Sequence, residues 1–567
     1  MKNEQVQAAV SMDQLTGTDS LGRKLPRYGE VSEPRADRYV GIFYFLWLGQ
    51  HGTKGPFDNT KIIAEAPEAV HDANHPMWGP KNAFHFWGEP LYGYYLNDDA
   101  WVLRKHVQLL TNAGIDFLVF DTTNAATYKK IYDKLFEIMD EVRLQGFKVP
   151  QIVFYTNSSS GETIGNVYQD LYKPGRHAEL WFHWKGKPLI IGDPEECSEE
   201  IRDFFTIRLN QWPFHDVKTN GFPWIEFYRP QRVYYNDEGE KEIINVAVAQ
   251  HPTCSMSDTP FYNHEVNWGR SFHNGANDNS PGAEYAGYNI EEQWAFALRE
   301  DPKIVFITGW NEWIAMRLEG PPERPILFVD QATLNFSRDI EPMKGGYNDN
   351  YYLQMIGHIR QFKGMAKPQA ADVQRTIAIG DDFSAWAEVT PVYKDFVRDT
   401  EDRNHPGYGD LYYRDETGRN DFETMKVAHD NDHVYFYVRT NHAITPYTGK
   451  HWMMLLINVD GRNDTGWEGY DYIVNRKVMD ASTTTVEQSL EGWNWKEKGT
   501  VQYAVQDHEL QLSIPRHMLG LSGAGQLLQF EFKWVDHMQS EGDIMDFYQY
   551  GDTAPDGRLN YLYTGQS

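Results

Sequence analysis

Cysteine is nearly absent from this chain: Cys197 and Cys254 are the two it has. Two thiols supply neither a disulfide framework nor a cysteine metal cluster, so both read as structural and stability must come from packed cores. Long apolar runs are also missing. No stretch approaches the roughly 18 residues that span a bilayer, and the leading MKNEQVQAAVSMDQ has no apolar core of signal type, so membrane insertion is not expected. Basic residues are in deficit, 53 Lys and Arg against 81 Asp and Glu, for a formal net charge of −28. A surface that acidic repels phosphate backbones, and nucleic acid is not an expected partner. The sequence as it stands reads as cytoplasmic; removal of a leader beforehand would make it periplasmic or secreted. The motif lexicon is thin as well. There is no GxGxxG after the first apolar run, no HExxH, no CxxC pair and no nucleophile elbow, which leaves no organic cofactor and no metal centre in the catalytic reading.

What the chain has in excess is aromatic: 18 Trp, 34 Tyr and 30 Phe, many in polar surroundings. Flat rings beside polar groups suit sugars, whose C–H faces stack and whose hydroxyls hydrogen-bond. A length of 567 residues implies two or three cores, and the texture changes near residue 370. Before that point eight strand-like runs alternate with helical spacing or long polar loops. They are Tyr39 to Trp47, Phe117 to Asp121, Ile152 to Tyr155, Leu189 to Gly192, Phe204 to Arg208, Trp224 to Phe227, Val246 to Ala249 and Ile304 to Thr308. That repeat predicts an α/β fold, a (β/α)8 TIM-type barrel over residues 38–368, with a doubly wound open sheet as the alternative. From 375 to 567, runs such as HVYFYVR, WMMLLINV and LQFEFKWV alternate with turns, predicting an all-β antiparallel β-sandwich. Residues 1–37 are polar and unpatterned and read as an N-terminal arm.

Catalytic groups of such barrels sit where strands end. The strand ends here offer Tyr44, Trp47, His51, Asp121, Asn124, Tyr155, Asn157, Asp193, Arg208, Asn210, Glu226, His251, Trp310, Asn311 and Glu312. Carboxylates with aromatics and amides point to glycosidic bond cleavage, in which one carboxyl protonates the leaving oxygen and another attacks or activates water. Glu312 lies between Trp310 and Trp313 in GWNEW, and indole packing is expected to raise its pKa and suit it to proton transfer. Capping of a following helix, or pairing with Arg317, is the structural alternative. Asp121, ending the apolar VFDTTN, is the favoured second carboxylate, with an N-cap as its alternative. Trp47, His51, Tyr155, Asn157, His251, Trp310, Asn311, Trp313, Arg270 and His273 are the expected substrate contacts, the last two in the WGRSFHNG loop. Arg270 in that loop, with Arg317 and Arg338, would suit a carboxylated or sulfated sugar, or merely surface ion pairs.

FYFLW at the first strand, AGIDFLVFD at the second and GWNEW at the last resemble glycoside hydrolase family 99, the endo-α-mannosidases, over roughly residues 38 to 365. That family's last-strand motif reads Trp-Asn-Glu-Trp-His-Glu, with two glutamates sharing catalysis. Trp310, Asn311, Glu312 and Trp313 match it, whereas Ile314 and Ala315 replace the His and the second Glu. The resemblance therefore implies a catalytic role for Glu312 alone. A partner carboxylate has to come from Asp121, Glu226, Asp193, or the stretch holding Asp330, Asp339 and Glu341. The loss of the second Glu leaves a non-catalytic glycan-binding protein as the rival, and a polysaccharide lyase as a third reading.

The C-terminal part is similar to family 9 carbohydrate-binding modules through FETMKVAHDNDHVYFYV, MLLINVDGRNDTGWEGYDYIVNR and YGDTAPDGRLNYLY. Trp452, Trp467, Trp493 and Trp495 are its candidate sugar platform, two or more of them being expected in the core. The VDGRND turn offers Asp460 and Asp464 as oxygen ligands for a structural calcium, with Arg462 standing where a third ligand would be wanted. The expected partner is an oligosaccharide or polysaccharide.

Overall fold

The computed structural model describes residues 15–52, 54–369, 371, 374–521 and 528–565. Most strands belong to two large sheets. The first contains eight parallel strands: β1 (Tyr39–Tyr44), β2 (Phe117–Thr122), β3 (Gln151–Thr156), β4 (Lys187–Gly192), β5 (Thr206–Gln211), β6 (Gly221–Pro223), β7 (Lys241–Ala247) and β8 (Ile304–Thr308). Their order across the sheet is β6-β5-β4-β3-β2-β1-β8-β7, a sheet curled toward closure. The sheet is mixed, because Tyr234–Tyr235 pairs antiparallel with β7 and His183–Trp184 with β4.

Period-two alternation explains why it curls around a core. Phe117, Val119, Val153, Tyr155, Leu189, Ile191, Phe222, Ile243, Ile304 and Phe306 share one buried cluster inside the sheet. The alternate residues Val40, Ile42, Leu118, Phe120, Ile152, Phe154, Ile244, Val305 and Ile307 belong to the outer core under the helices. Gly41 makes room in this interior, since a Cβ there would meet the Phe117 ring at 2.3 Å.

Two expectations need correction. Among the described residues no backbone ladder joins β6 to β7; Asn245 spans that seam, accepting from Glu226 N at 3.1 Å and donating to the Trp224 carbonyl at 3.3 Å. Helices also do not follow every strand. Those that do are α1 (Ala100–Asn112), α2 (Lys129–Leu144), α3 (Ser160–Val167), α4 (Glu199–Phe204), α5 (Tyr288–Glu300) and α6 (Asn350–Lys363), and none lies between β5 and β7. A barrel-like sheet in a mixed α/β chain is therefore what is observed. The fifth, sixth and seventh strands also start up to five residues from their expected positions; Phe204 ends helix α4 and Trp224 follows β6.

The second sheet is antiparallel: β9 (Val392–Lys394), β10 (Phe422–His429), β11 (His433–Thr440), β12 (Met454–Asn458), β13 (Tyr472–Val478), β14 (Thr483–Glu491), β15 (Asn494–Gln506), β16 (Glu509–Pro515), β17 (Leu528–Asp536), β18 (Asp552–Ala554) and β19 (Asn560–Gly565). β15 pairs with β14 along its first part and with β16 along its last, so one strand serves two halves. The halves face each other through Phe436 against Phe530 and Phe532, with ring centroids 5.7 and 5.8 Å apart. Leu15–Thr16 adds to this sheet beside β19, which ties the start of the described chain to its end. No helix among the described residues is long and apolar enough to cross a membrane.

Candidate active site

At the ends of the parallel strands a cavity of about 680 Å³ opens. Three carboxylates line it, Asp121, Glu312 and Asp330, together with Arg338, His51 and His251 and the rings of Phe43, Trp47, Tyr128, Trp212, Trp224 and Phe227.

Glu312 is placed through its backbone. Past β8, Trp310 N donates to the Phe43 carbonyl at 2.9 Å, and Asn311 clasps Phe45, accepting from its N–H at 2.9 Å and donating to its carbonyl at 3.1 Å. Glu312 N then donates to Asp339 Oδ1 at 2.6 Å, and its carbonyl accepts from the Trp87 indole at 3.3 Å. The segment that supplies Asp339 is itself tied down, with Gly309 N donating to the Arg338 carbonyl and Ile340 N to the Gly309 carbonyl. Arg338 and Asp339 thus flank Glu312, one holding its side chain and the other its N–H.

The charges form a compact group. Arg338 Nη2 lies 2.8 Å from Glu312 Oε2 and 3.2 Å from Asp330 Oδ1, and its Nη1 donates to His251 Nδ1 at 3.3 Å. The guanidinium also lies 5.2 Å from the Trp224 ring centre. Burial pushes the Glu312 carboxyl well above its usual range despite Arg338, with Asp330 and Asp339 adding to the rise. Asp330 goes the other way: burial would raise it, but Arg338 and then His251 bring it below the usual carboxylate range. Its side chain keeps 42% exposure, which agrees with an ionised group at the rim. Asp121 is raised by burial and by Asp330, against two hydrogen bonds from Thr123, N–H at 3.0 Å and hydroxyl at 2.7 Å. His251 is lowered to about 4 by burial and by Arg338.

Of the expected contacts, Trp47, His51 and His251 line the cavity beside Glu312 and Asp121. The others lie elsewhere. Trp310 and Trp313 are fully buried on the outer side, Trp310 against His106 and Tyr352 and Trp313 stacked 4.5 Å from Trp87, so neither indole walls the Glu312 carboxyl. Asn311 is buried in its clasp on Phe45. Tyr155 points into the sheet's interior and donates to the Phe222 carbonyl at 2.8 Å. Asn157 stands one layer back, accepting from the Trp212 indole at 2.9 Å. Arg270 is sealed between Tyr347 and Tyr351, 4.7 and 4.6 Å from their ring centres, and His273 sits on a hairpin with Asn274 and Asp278. Neither has access to a sugar in this cavity.

Among the rival carboxylates, Glu226 is buried and bound by Arg232 and Tyr234. Asp193 caps the turn at Glu195, and Glu341 accepts from Tyr95 and Trp313 and pairs with His106. Asp330 alone of the alternatives reaches the cavity. The reading of strand ends missed Trp212, Trp224 and Tyr128; the first two directly follow β5 and β6, and correct strand limits would have exposed them. In the antiparallel region Trp452 and Trp467 are core, while Trp493 and Trp495 are half-buried and meet edge to face at 5.4 Å. The VDGRND turn holds Asp464 on Arg462, at 2.9 and 2.8 Å.

No family model matches the chain, and no curated protein matches it in sequence. Solved structures that align include two of the GH99 endo-α-mannosidase from Bacteroides thetaiotaomicron, one of them in complex with BIS-TRIS-propane. Each covers 57% of this chain and 97% of its own at 14% identity and a TM-score of 0.33, a distant similarity in structure to a glycoside hydrolase.

Proposed function

We propose that the protein is a glycoside hydrolase acting on an oligosaccharide or polysaccharide, with Glu312 as the proton donor and Asp330 as its ionised partner. The barrel-like part, residues 38–368, would be a (β/α)8-type catalytic domain, and residues 375–567 a carbohydrate-binding-module-like sandwich. The observation that carries this reading is the opposed titration of two carboxyls held by one guanidinium in an aromatic-lined cavity. Burial favours the acid form of Glu312 while Arg338 favours the ionised form of Asp330. Environments that push two carboxyls apart in this way assign acid and base roles.

In the cycle that follows, Glu312 gives its proton to the leaving glycosidic oxygen as the bond to the anomeric carbon breaks. Asp330 meets the positive charge that develops on the sugar ring, by direct attack or by taking a proton from water. Arg338 stabilises the Glu312 carboxylate left after transfer. Trp47, Trp212 and Trp224 offer faces for sugar rings. Asp121, whose carboxyl burial pushes upward, offers a hydrogen bond to a sugar hydroxyl. A neutral glycan is the substrate proposed, because Arg338 is already committed to Glu312, Asp330 and His251 and no other Lys or Arg among the described residues lines the cavity.

The test is turnover by the native chain on a broad glycan panel, with Glu312→Gln alongside. Released reducing ends that vanish in the variant, while glycan binding persists, support hydrolysis. Binding without turnover by the native protein would favour a lectin-like role, and an ultraviolet-absorbing unsaturated product a lyase.

A further inference from the structure

Where α1 meets the antiparallel half, four aspartates converge out of contact with solvent. Asp395 and Asp399 lie in the turn after β9, Asp552 opens β18, and Asp556 follows that strand; none is more than 4% exposed. One carboxylate oxygen each from Asp395, Asp399 and Asp552 lies within 4.8 Å of the other two. Asp556, outside this trio, is the independent sign of a ligand. It is 2% exposed and its Oδ2 accepts no hydrogen bond. Asp395 Oδ2 and Asp399 Oδ1 also accept none.

The cations nearby answer this charge only in part. Lys105 of α1 stands 3.8 Å from Asp399 and 3.6 Å from Asp556, beyond hydrogen-bond reach of both. Lys533 turns its ammonium to the Pro555 carbonyl. Two buried ammonium groups thus face four buried carboxylates without a hydrogen bond to any of them, a costly arrangement unless something else neutralises it.

We propose that Asp395, Asp399, Asp552 and Asp556 bind one divalent cation of calcium size, fastening the turn after β9 to β18 and the turn behind it. The donors are all carboxylate oxygens, which select a hard cation. Carboxylates in a space closed to solvent suit calcium, which takes a full set of protein oxygens, better than magnesium, which usually keeps several waters. The site is separate from the VDGRND turn and from the glycan cavity.

The experiment uses the full chain, stripped with a chelator and dialysed, then titrated with calcium by calorimetry and thermal melting, with magnesium in parallel. The expected result is one calcium per chain, a saturable rise in Tm, and a smaller response to magnesium. Asp395→Asn and Asp556→Asn are each expected to weaken calcium binding about tenfold or more, and Asp460→Asn to leave it unchanged. Lys105→Met is expected to tighten calcium binding by removing a like charge, a gain that a merely structural lysine would not give, and it decides the matter if the Asp variants do not fold. Absence of calcium binding by the stripped protein, loss of the effect in Asp460→Asn, or no gain in Lys105→Met overturns the proposal.

Discussion

Arg338 donates from Nη2 to Glu312 Oε2 at 2.8 Å across 26 residues of chain, joining the strand-end glutamate to a segment with no regular secondary structure. The carboxyl that titrates high and the cation that would otherwise hold it low are in direct contact, and burial is the larger effect.

Activity should follow the acid form of Glu312. A carboxyl whose pKa is raised in the folded protein stays protonated to higher pH than an ordinary glutamate, so turnover is expected to fall only as pH rises through that raised value. Glu312→Gln should lower kcat by about 10²- to 10⁴-fold, with the alkaline limb gone from whatever activity is left. An unchanged pH–rate profile in the variant would remove Glu312 from the chemistry.

Arg338→Gln takes a positive charge from both carboxyls. Both should then titrate higher, moving the acid and alkaline limbs of the profile upward together, with kcat affected more than KM. Loss of the charge-assisted hydrogen bonds that Arg338 gives to Glu312 and Asp330 should cost about 1.5 to 3 kcal/mol of stability, measurable by denaturant unfolding. Limbs that stay in place would refute the coupling.

The glycosidic product should retain its anomeric configuration. Glu312 Oε2 and Asp330 Oδ1 share one nitrogen of Arg338 and so lie within about 6 Å of each other. Retaining enzymes hold their carboxyl groups about 5 to 5.5 Å apart, inverting ones about 6.5 to 9.5 Å. Proton NMR of the first product formed checks this, and inversion would assign water activation to a more distant group such as Asp121.

Trp313 and Trp224 should behave oppositely. Trp313 is stacked on Trp87 and donates to Glu341, so Trp313→Ala should cost about 3 to 5 kcal/mol through lost packing. Trp224 borders the cavity beside Arg338, and Trp224→Ala should raise KM with a much smaller change in Tm. Melting curves and Michaelis constants for the pair separate core from substrate wall.

His251 should make stability depend on pH at the acid end. Its folded pKa is lowered from 6.5 to about 4, so between those values the unfolded chain binds a proton that the folded one does not. The stabilisation is present above pH 6.5 and is lost as pH falls toward 4. His251→Gln should flatten that part of the curve of stability against pH; an equally steep curve would assign the slope to other groups.

The strands were legible where burial on both faces wrote continuous apolar runs, as in YVGIFYF and IVFIT, and the antiparallel region where alternation was clear, as in HVYFYVR. β5 to β7 were less so, since short helix-free connections left no change of period to mark their ends. In the site, Asp121, Glu312, Trp47, His51 and His251 could be read from strand ends, because a polar residue after an apolar run has to face something other than core. Adjacency misled at GWNEW: the chain turns past β8, and successive side chains there point to opposite sides.

The sequence alone determined that a mostly parallel sheet precedes an antiparallel one, that a strand-end glutamate stands in aromatic company, and that charge disfavours nucleic acid. These depend on period, composition and sums, which are local or global properties of a string. Tertiary structure decided which carboxylates meet, that Arg338 and Asp330 join Glu312 while Trp310, Trp313 and Arg270 do not, and that four aspartates from distant turns share one buried space. Such pairings depend on how loops return over the sheet, and no residue carries that information in its neighbours along the chain.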